Sequence, residues 1–543
     1  MEKGRLIRSA GIVSGFTALS RLLGLVRDVL MAGFFGTSLV MSAFVVAFTI
    51  PNLFRRLFGE GALSSALVPV LVETREKEGD PVAWTLVNRV LVLLAAVLTL
   101  IALAVMLAAA WPVECPKAAA VFDLLQIMMP YMIFICLAAV SMGILNAFRH
   151  FAVSAFAPCV LNILWIGTLL LVVPHVGTSP EEKIRTVAWT ILLAGFLQWA
   201  IQWPVLFHFG WRPKFPRVGK IRRSGADNFP TLGIRIGGVS KYWNDEKVLR
   251  ILRLMGPAAL GMAATQINVM IDRYLAMWVS AEAPSALFFS ERLIYFPLGI
   301  FATALGTVLL PVFSGHAARE DIPRIREGVT DGLCHLLFIM IPAAVGLLVL
   351  AGPIVQMIFE WREFGAASTW MTAIALQCYA PGLIVFSLAK VFVPAFYARQ
   401  DTQTPVRVGL CAVLLNLVLN ITFILTLPQD VKHAGIAFAT VLSSTFSMTV
   451  LALILQRRIG KPDWKRVGAT AARALAASVL MGVAALTVHG LFPMVGIYDA
   501  LGVKTGQILS VLVSIAAAGG VYLIASVLLR APEIREFLNA LRR

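Results

Sequence analysis

Charged side chains are scarce in this sequence, and acidic ones are scarcer than basic ones. Only 14% of the 543 residues are Asp, Glu, Lys or Arg, whereas 59% are hydrophobic and the mean hydropathy is +0.84. A soluble domain of this length needs a polar surface that such a composition does not supply. The scarcity of charge therefore excludes a soluble protein and indicates a chain that crosses a membrane many times.

The sequence also lacks the motifs of metal centres, nucleotide sites and hydrolytic enzymes. Its six cysteines lie far apart without CxxC or Cys/His spacing, which favours small core-filling residues over metal ligands. It contains no Ser/His/Asp arrangement and no glycine-rich phosphate loop, and its seven histidines are isolated. We therefore predict no catalytic residue, no metal-binding residue and no organic cofactor.

The 46 basic residues exceed the 29 acidic ones and give a net charge of +17. They are scattered through short connectors without aromatic interleaving, which argues against nucleic-acid binding. If the N-terminus is cytoplasmic, most basic residues fall in cytoplasmic connectors, and this asymmetry predicts that both termini are cytoplasmic. The basic residues left in external connectors are Lys117, Lys183, Arg185, Arg362, Lys432 and Lys504.

Apolar runs of about 20 residues, long enough to cross a bilayer as a helix, recur along the whole chain. They predict an all-α polytopic membrane protein with 14 transmembrane helices. The predicted spans are 9–33, 37–58, 84–110, 120–147, 152–174, 186–209, 250–279, 285–313, 329–350, 368–396, 406–427, 433–456, 467–492 and 505–529.

The two halves of the chain resemble each other. Residues 61–70 are echoed by residues 303–312, and the Arg27-Asp28 pair of span one is answered by Asp272-Arg273 in span seven. A repeat of six spans preserves orientation, so it predicts two parallel, pseudo-symmetric six-helix lobes with alternating access at their interface. The predicted organisation is an N-terminal lobe (1–209), a basic cytoplasmic loop (210–249), a C-terminal lobe (250–457), two additional transmembrane helices (458–529) and an amphipathic cytoplasmic tail helix (530–543).

Arginines interrupt several of the apolar runs. A charged side chain at the centre of a bilayer costs at least ~2.5–3.5 kcal/mol, so Arg21, Arg27, Arg55 and Arg292 are expected to face a watery interior. Their planar donor forks match the geometry of phosphate, which predicts an anion site. For any single residue the alternative is an ion pair that locks helices together. That alternative is weaker for the set, because the arginines outnumber the carboxylates near them.

A second constellation pairs one carboxylate with amides. Asn268 and Asp272 are four residues apart in span seven, and Asn416 and Asn420 are four apart in span eleven. Carboxylate and amide oxygens suit a hard cation such as Na⁺, and a lone Asp in a span can instead carry a proton. Amides that bridge helices through hydrogen bonds are an equally good interpretation.

These residues lie in stretches that resemble one family. SRLLGLVRD (20–28), PNLFRRLFGEGA (51–62), ERLIYFP (291–297) and KVFVPAFYARQD (390–401) make the sequence similar to the MurJ (MviN) lipid II flippase family. That family belongs to the multidrug/oligosaccharidyl-lipid/polysaccharide exporter superfamily. Chain length and number of spans agree over nearly the whole sequence. Generic drug exporters of the superfamily do not usually carry this set of arginines.

The resemblance implies a transporter, not an enzyme, in the bacterial cytoplasmic (inner) membrane. It implies movement of lipid II, the undecaprenyl-pyrophosphate-linked peptidoglycan precursor, from the inner to the outer leaflet. The pairs four residues apart around Asp272 add the hypothesis that Na⁺ or H⁺, together with the membrane potential, assists the return of the empty carrier. The four arginines would bind the pyrophosphate and headgroup, and spans thirteen and fourteen would form a groove for the lipid tail. Membrane lipids and cell-wall synthesis enzymes are the expected partners. The expected supporting residues are Asp28, Asn52, Arg56, Glu60, Glu291 and Lys390.

Two features depart from the family pattern. Ser42 stands where the family often has an acidic residue, and the polar loop 210–249 is longer than usual. The alternative functions are a cation-coupled exporter of drugs or an exporter of another polyprenyl-linked oligosaccharide. A drug exporter predicts a cavity dominated by acidic residues. A membrane-embedded glycosyltransferase or phosphotransferase needs Asp pairs or a His-based site, which the sequence does not show.

Overall fold

The computed structural model describes residues 2–213, 245–494 and 502–534, and every regular element within them is a helix. The all-α class predicted from composition is therefore confirmed. Most of the predicted loop 210–249 and of the predicted tail helix 530–543 lies outside the described residues.

The helices follow the apolar runs, with ends displaced by a few residues. The first half contains α1 (Glu2–Phe35), α2 (Leu39–Phe54), α3 (Ala62–Glu78), α4 (Asp80–Ala109), α5 (Pro116–Met128), α6 (Tyr131–Ala147), α7 (Ala152–Gly167), α8 (Pro180–Ala200) and α9 (Trp203–His208). The second half contains α10 (Glu246–Val279), α11 (Ala283–Pro297), α12 (Thr303–Ala318), α13 (Ile322–Val349), α14 (Ala351–Phe359), α15 (Ala366–Tyr379), α16 (Gly382–Ala398), α17 (Gln403–Thr426), α18 (Lys432–Ile459), α19 (Trp464–Met494) and α20 (Val503–Leu528).

Among the described residues, ten helices are long and apolar enough to cross a membrane, and two bent helix pairs raise the number to 12. In the first pair α5 and α6 meet at an angle of 47°, and in the second α15 and α16 meet at 44°. Pro130 and Pro381 lie at these two bends. Proline cannot donate a backbone hydrogen bond to the preceding turn, and this missing bond allows the helix to bend. Each half of the chain thus carries a bent span at the same place, as the fourth of its predicted spans.

The halves share a second irregularity, a π-helical break in a long apolar helix. Residues Arg55–Gly61 form a π-helix between α2 and α3, and Leu298–Ala302 form one between α11 and α12. Pro51 lies inside α2 and Pro297 ends α11, so each break follows a position where a backbone donor is missing. Such breaks are frequent at functional sites.

The chain divides into two compact units. Unit 1 contains Met1–Leu30 and Val46–Gln266, and unit 2 contains Met31–Val45 and Ile267–Arg543. These divisions differ from the predicted lobe boundaries, because the end of α1 and the start of α2 belong to unit 2, and the first part of α10 belongs to unit 1. In unit 2, α19 packs along both α13 and α20.

Ion pairs attach the start of α10 to the other helices of unit 1. Two pairs join α10 to α3, because Arg250 lies 2.8 Å from Glu73 and Lys247 lies 2.5 Å from Glu78. Within α3, Lys77 lies 2.7 Å from Glu73. Hydrogen bonds from Lys77 and Arg250 lower the pKa of Glu73. These side chains are well exposed, so screening by water leaves each pair only a small contribution to stability.

Close backbone packing holds the segment after α1 in unit 2. The Glu363 backbone N–H donates to the Gly33 carbonyl at 3.1 Å, and Thr37 Oγ1 lies 2.7 Å from Ser368 Oγ. Gly36 has φ +56°, and a Cβ there would come 2.4 Å from the Glu363 carbonyl oxygen. Only glycine fits this position, for reasons of both conformation and space.

Replacing Gly36 with alanine should therefore destabilise unit 2. A left-handed backbone costs a non-glycine residue about 1–3 kcal/mol, and the clash with Glu363 adds to that cost. We expect a lower melting temperature of the purified protein. Gly352→Ala in α14 is the matched control, because no atom lies within 4 Å of its Cβ position and alanine favours a helix. Equal melting temperatures for the two variants would contradict this reading of Gly36.

Candidate functional site

The Arg27 guanidinium is held on several sides within unit 1. Its Nε and Nη2 donate to Asp28 Oδ1 at 2.9 and 2.7 Å, and its Nη1 donates to Asn162 Oδ1 at 3.0 Å. The guanidinium carbon lies 4.4 Å from the centre of the Trp165 ring. The side chain of Arg27 is 11% exposed, and that of Asp28 is 5% exposed. For this arginine the structure shows the ion pair that the sequence left open as an alternative.

Sequence reasoning missed the two α7 residues that complete this arrangement. Asn162 also donates its Nδ2 to the Ser20 carbonyl at 3.0 Å, which ties α7 to α1. Trp165 makes an edge contact with Phe48, whose ring centre lies 5.6 Å away. The available signal was a single amide inside the apolar run 152–174.

Three polar residues at and just after the C-terminal end of α2, namely Asn52, Arg55 and Arg56, lie in different surroundings. Arg55 is half-buried and begins the π-helical break, whereas Arg56 is exposed and donates its Nη1 to Gln266 Oε1 at 3.2 Å. The exposure of Arg56 fits a long side chain whose charge reaches the membrane surface. Asn52 donates its Nδ2 to the Phe48 carbonyl at 3.0 Å, which is a hydrogen bond within its own helix.

Arg21 is exposed on α1, six residues before Arg27. Glu60 belongs to the π-helical break, but its side chain lies outside the described residues. Lys390 is exposed on α16, where its backbone carbonyl packs against Gly306. Ser42, which stands at the position that is often acidic in the family, is buried in unit 2 and donates its hydroxyl to Ser285 Oγ at 2.9 Å.

In unit 2 the ring of Phe288 lies between two arginines. The guanidinium carbon of Arg292 is 4.4 Å from its centre and that of Arg273 is 5.8 Å from it. Arg292 is half-buried, and Arg273 is 5% exposed. Stacking on an aromatic face fixes the plane of a guanidinium and leaves its edge to hydrogen-bond.

Glu291, the expected neighbour of Arg292, pairs with Arg273 instead. Arg273 Nη2 lies 2.5 Å from Glu291 Oε2, and its Nη1 donates to the Pro284 carbonyl at 2.8 Å. The Tyr379 hydroxyl donates to the other oxygen of Glu291 at 3.2 Å. Adjacent residues on a helix point about 100° apart. Glu291 therefore reaches toward α10 and α15, and the Arg292 side chain points in another direction.

The predicted cation residues come together in unit 2. Asp272 Oδ1 accepts from Asn420 Nδ2 at 2.7 Å, and Asp272 Oδ2 lies 3.4 Å from Asn268 Nδ2. The Asn416 amide lies 2.9 Å from Asp272 Oδ1. Thr440 of α18, which sequence reasoning missed, donates its hydroxyl to Asp272 Oδ2 at 3.1 Å. Asp272 is 7% exposed, and both Asn416 and Asn420 are fully buried.

The donor set of this cluster fits a small hard cation or a proton. The donors that the structure shows at Asp272 are neutral amides and a hydroxyl, whereas Arg273 is directed to Glu291. Asn420 Oδ1 is buried without a hydrogen-bond donor among the described residues. One carboxylate with amide and hydroxyl oxygens suits Na⁺ better than a transition metal. Within residues 2–213, 245–494 and 502–534, no three His, Cys, Asp or Glu side chains form a metal-binding group.

Comparisons with known proteins point to one family. A family model described as lipid II flippase MurJ matches residues 31–503. A probable lipid II flippase MurJ from Vibrio cholerae serotype O1 is 34% identical over 465 residues, which cover 82% of each chain. A solved lipid II flippase MurJ in an inward closed conformation gives a TM-score of 0.72 at 25% identity, and the match covers 95% of this chain and 98% of that one.

The wider fold is shared with a second class of transporter. An inward-facing multidrug resistance MATE family transporter of the MOP superfamily gives a TM-score of 0.61 at 14% identity. The match covers 81% of this chain and 94% of that structure.

Proposed function

Because the chain belongs to the MurJ family of lipid II flippases, we propose that it binds lipid II through Arg21, Arg27, Arg55 and Arg292 and releases it by alternating access. It is a multi-pass protein of the bacterial inner membrane and a transporter, not an enzyme. The family match over residues 31–503 is the observation that carries this function. Lipid II moves from the inner to the outer leaflet.

The proposed topology has 14 spans, two repeated six-helix lobes and cytoplasmic termini. It adds α1 and α10, which both have 34 residues, to the ten single and two bent candidate spans. The repeated bends and π-helical breaks support the two lobes, and the asymmetry of basic residues supports the orientation. Cell-wall synthesis enzymes stay the predicted protein partners.

The proposed groove for the lipid tail lies along α19 and α20. Both helices fall outside the repeat, and both carry large apolar side chains that are more than one-third exposed. Apolar surface of this kind suits an acyl or prenyl chain. On α19 these side chains are Leu475, Val479, Leu480, Val483 and Leu486, and on α20 they include Leu512, Ile515 and Ile524.

The chemistry of the arginines suits a diphosphate. Guanidinium groups donate paired hydrogen bonds to phosphate oxygens, and Phe288 and Trp165 fix the planes of Arg292 and Arg27. The diphosphate carries about two negative charges, and each charge gains ~2.3 kcal/mol on moving outward across 100 mV, negative inside. Outward movement of the anion is therefore favourable, and the energetic demand falls on the return of the empty carrier.

Replacing Arg292 with alanine should weaken binding of lipid II about 10- to 100-fold. Hydrogen bonds to charged groups contribute about 1.5–3 kcal/mol, and every 1.4 kcal/mol is a factor of ten in affinity. The measurement is binding of lipid II to the purified protein in lipid nanodiscs. Arg407→Ala is the matched control, because Arg407 is exposed and donates a hydrogen bond to Gln403 of its own helix.

Three results would contradict the proposal. Failure of the unsubstituted protein to bind lipid II would remove the substrate assignment and favour a drug exporter. A chemically altered lipid after incubation would indicate an enzyme. Equal losses for Arg292→Ala and Arg407→Ala would remove Arg292 from the binding site.

We further propose that a cation bound at Asp272 assists the return of the empty carrier. Asp272, Asn416, Asn420 and Thr440 would hold it, and its charge would compensate the buried carboxylate. Na⁺ fits the oxygen donors, and H⁺ is the alternative.

A further inference from the structure

The first helices of the two halves carry a buried aspartate at the same position. Helices α1 and α10 both have 34 residues, and Asp28 and Asp272 are equally distant from their first residues, Glu2 and Glu246. Asp28 is 3% exposed and Asp272 is 7% exposed. Asp272 contacts Asn420 of the fifth span of its half directly, and Asp28 is linked through Arg27 to Asn162 of the fifth span of its own half. A buried carboxylate needs a compensating positive charge or a proton in both places.

The order of the charged residues differs between the two helices. Arg27 precedes Asp28, whereas Arg273 follows Asp272. Successive helical residues are rotated by about 100° around the helix axis. Arg27 therefore lies about 100° to one side of its aspartate, and Arg273 lies about 100° to the other side of its own. Arg27 accordingly turns onto Asp28, while Arg273 leaves Asp272 and pairs with Glu291.

The amides around the two aspartates complete the comparison. Asn268 lies four residues before Asp272, and the residue four before Asp28 is Gly24. A Cβ at Gly24 would come 3.9 Å from Asn162 Nδ2, so the amide of Asn162 stands beside this gap. In unit 1 the Arg27 guanidinium contacts the carboxylate and the Asn162 amide oxygen, which are the ligand types present around Asp272.

We propose that unit 1 contains a second site of the Asp272 type in which the Arg27 guanidinium is the permanently resident cation. The protein therefore exchanges one small cation at Asp272, whereas at Asp28 the positive charge is the guanidinium of Arg27, which is part of the chain and cannot leave. This inference rests on the proposed cation coupling and extends it. It assigns Arg27 a role as counter-charge of Asp28 in addition to its role toward the substrate. Removing the guanidinium should convert the Asp28 site into a second site for Na⁺.

The experiment measures Na⁺-dependent stability of the full-length protein in detergent. NaCl is replaced by choline chloride at constant ionic strength, and the melting temperature is compared. We expect Na⁺ to raise the melting temperature of the unsubstituted protein, and Asp272→Asn to lose this response. Arg27→Gln added to Asp272→Asn should restore it, and further addition of Asp28→Asn should remove it again.

The matched control is Arg27→Lys in the Asp272→Asn background. Lysine retains a tethered positive charge, so this variant should stay insensitive to Na⁺. If Arg27→Gln fails to fold, Arg27→Ala combined with Gly24→Asn supplies an amide in the way Asn268 does at Asp272. A second measurement counts bound ²²Na⁺ by equilibrium dialysis. We expect one ion for the unsubstituted protein and two for Arg27→Gln with Asp272 intact.

The outcomes separate this inference from the proposal beneath it. If Asp272→Asn loses the Na⁺ response but Arg27→Gln does not restore it, the resident-cation inference is wrong and the Asp272 site stands. If the unsubstituted protein shows no Na⁺ response, coupling to Na⁺ at Asp272 is wrong. The Arg27 variants then decide the inference alone, since a gained response supports it and no gain overturns it.

Discussion

Asp272→Asn is expected to abolish the dependence of lipid II flipping on a cation gradient. Asparagine keeps the size of the side chain and one of the two oxygens, which accepts from either Asn420 or Thr440, but it removes the charge that attracts the cation. In proteoliposomes the flipping rate of the variant should equal the rate of the unsubstituted protein without the gradient. The response to the gradient is lost completely, while binding of lipid II to the arginines is retained.

A carboxylate outside the cluster provides the control for this result. Asp123→Asn removes a charge that pairs with Arg185 at 2.7 Å on the exposed surface, and it should leave the cation response unchanged. Thr440→Val should raise the cation concentration needed for half-maximal response, because it removes one oxygen from the cluster. A full response in Asp272→Asn, with either a Na⁺ or a pH gradient, would eliminate this site from coupling.

Arg273→Ala should cause the largest loss of stability among the variants considered for unit 2. Arg273 is 5% exposed and holds both Glu291 and the Pro284 carbonyl. Its removal leaves a carboxylate in a poorly hydrated place without its ion-pair partner, which typically costs about 3–5 kcal/mol. Thermal unfolding of the purified protein should show a clear decrease in melting temperature.

The contrast with an exposed ion pair makes this prediction sharp. Arg324 pairs with Glu327 at 3.6 Å, and their side chains are 65% and 60% exposed, so Arg324→Ala should cost less than ~1 kcal/mol. Adding Glu291→Gln to Arg273→Ala should recover part of the loss, because the uncompensated carboxylate is then removed. Similar losses for Arg273→Ala and Arg324→Ala would show that Glu291 keeps its hydration without Arg273.

Helix positions were predictable because bilayer thickness fixes the length of an apolar run. The predicted spans 84–110 and 406–427 correspond to Asp80–Ala109 and Gln403–Thr426. The bends at Pro130 and Pro381 and the break after Pro297 were not predicted, although a proline marks each of them. A proline in an apolar run signals a missing donor, but the direction and size of the resulting bend depend on neighbouring helices.

The cation cluster shows how far spacing alone can reach. Pairs four residues apart share one helix face, so spacing placed Asn268 with Asp272 and Asn416 with Asn420. That the two faces meet, and that Thr440 joins them, depends on packing between α10, α17 and α18. Thr440 was missed because a threonine in an apolar helix usually donates to its own backbone.

The arginine site shows the opposite limit. The sequence identified Arg27 and Arg292, but not the aromatic rings of Trp165 and Phe288 that orient them. It also placed Glu291 beside Arg292, whereas the structure pairs Glu291 with Arg273. Adjacency in sequence does not decide pairing on a helix, because Arg27 pairs with its neighbour Asp28, whereas Glu291 pairs with Arg273 of the facing helix.

The two compact units exchange chain segments, and this affects how the protein can be divided. A break between residues 214 and 244 would leave Met31–Val45 of unit 2 on the first fragment and the unit 1 part of α10 on the second. Neither fragment would contain all the helical segments of one unit. Co-expressed fragments should therefore depend on each other for assembly, and tags placed on either side of the break should report on the same assembled protein.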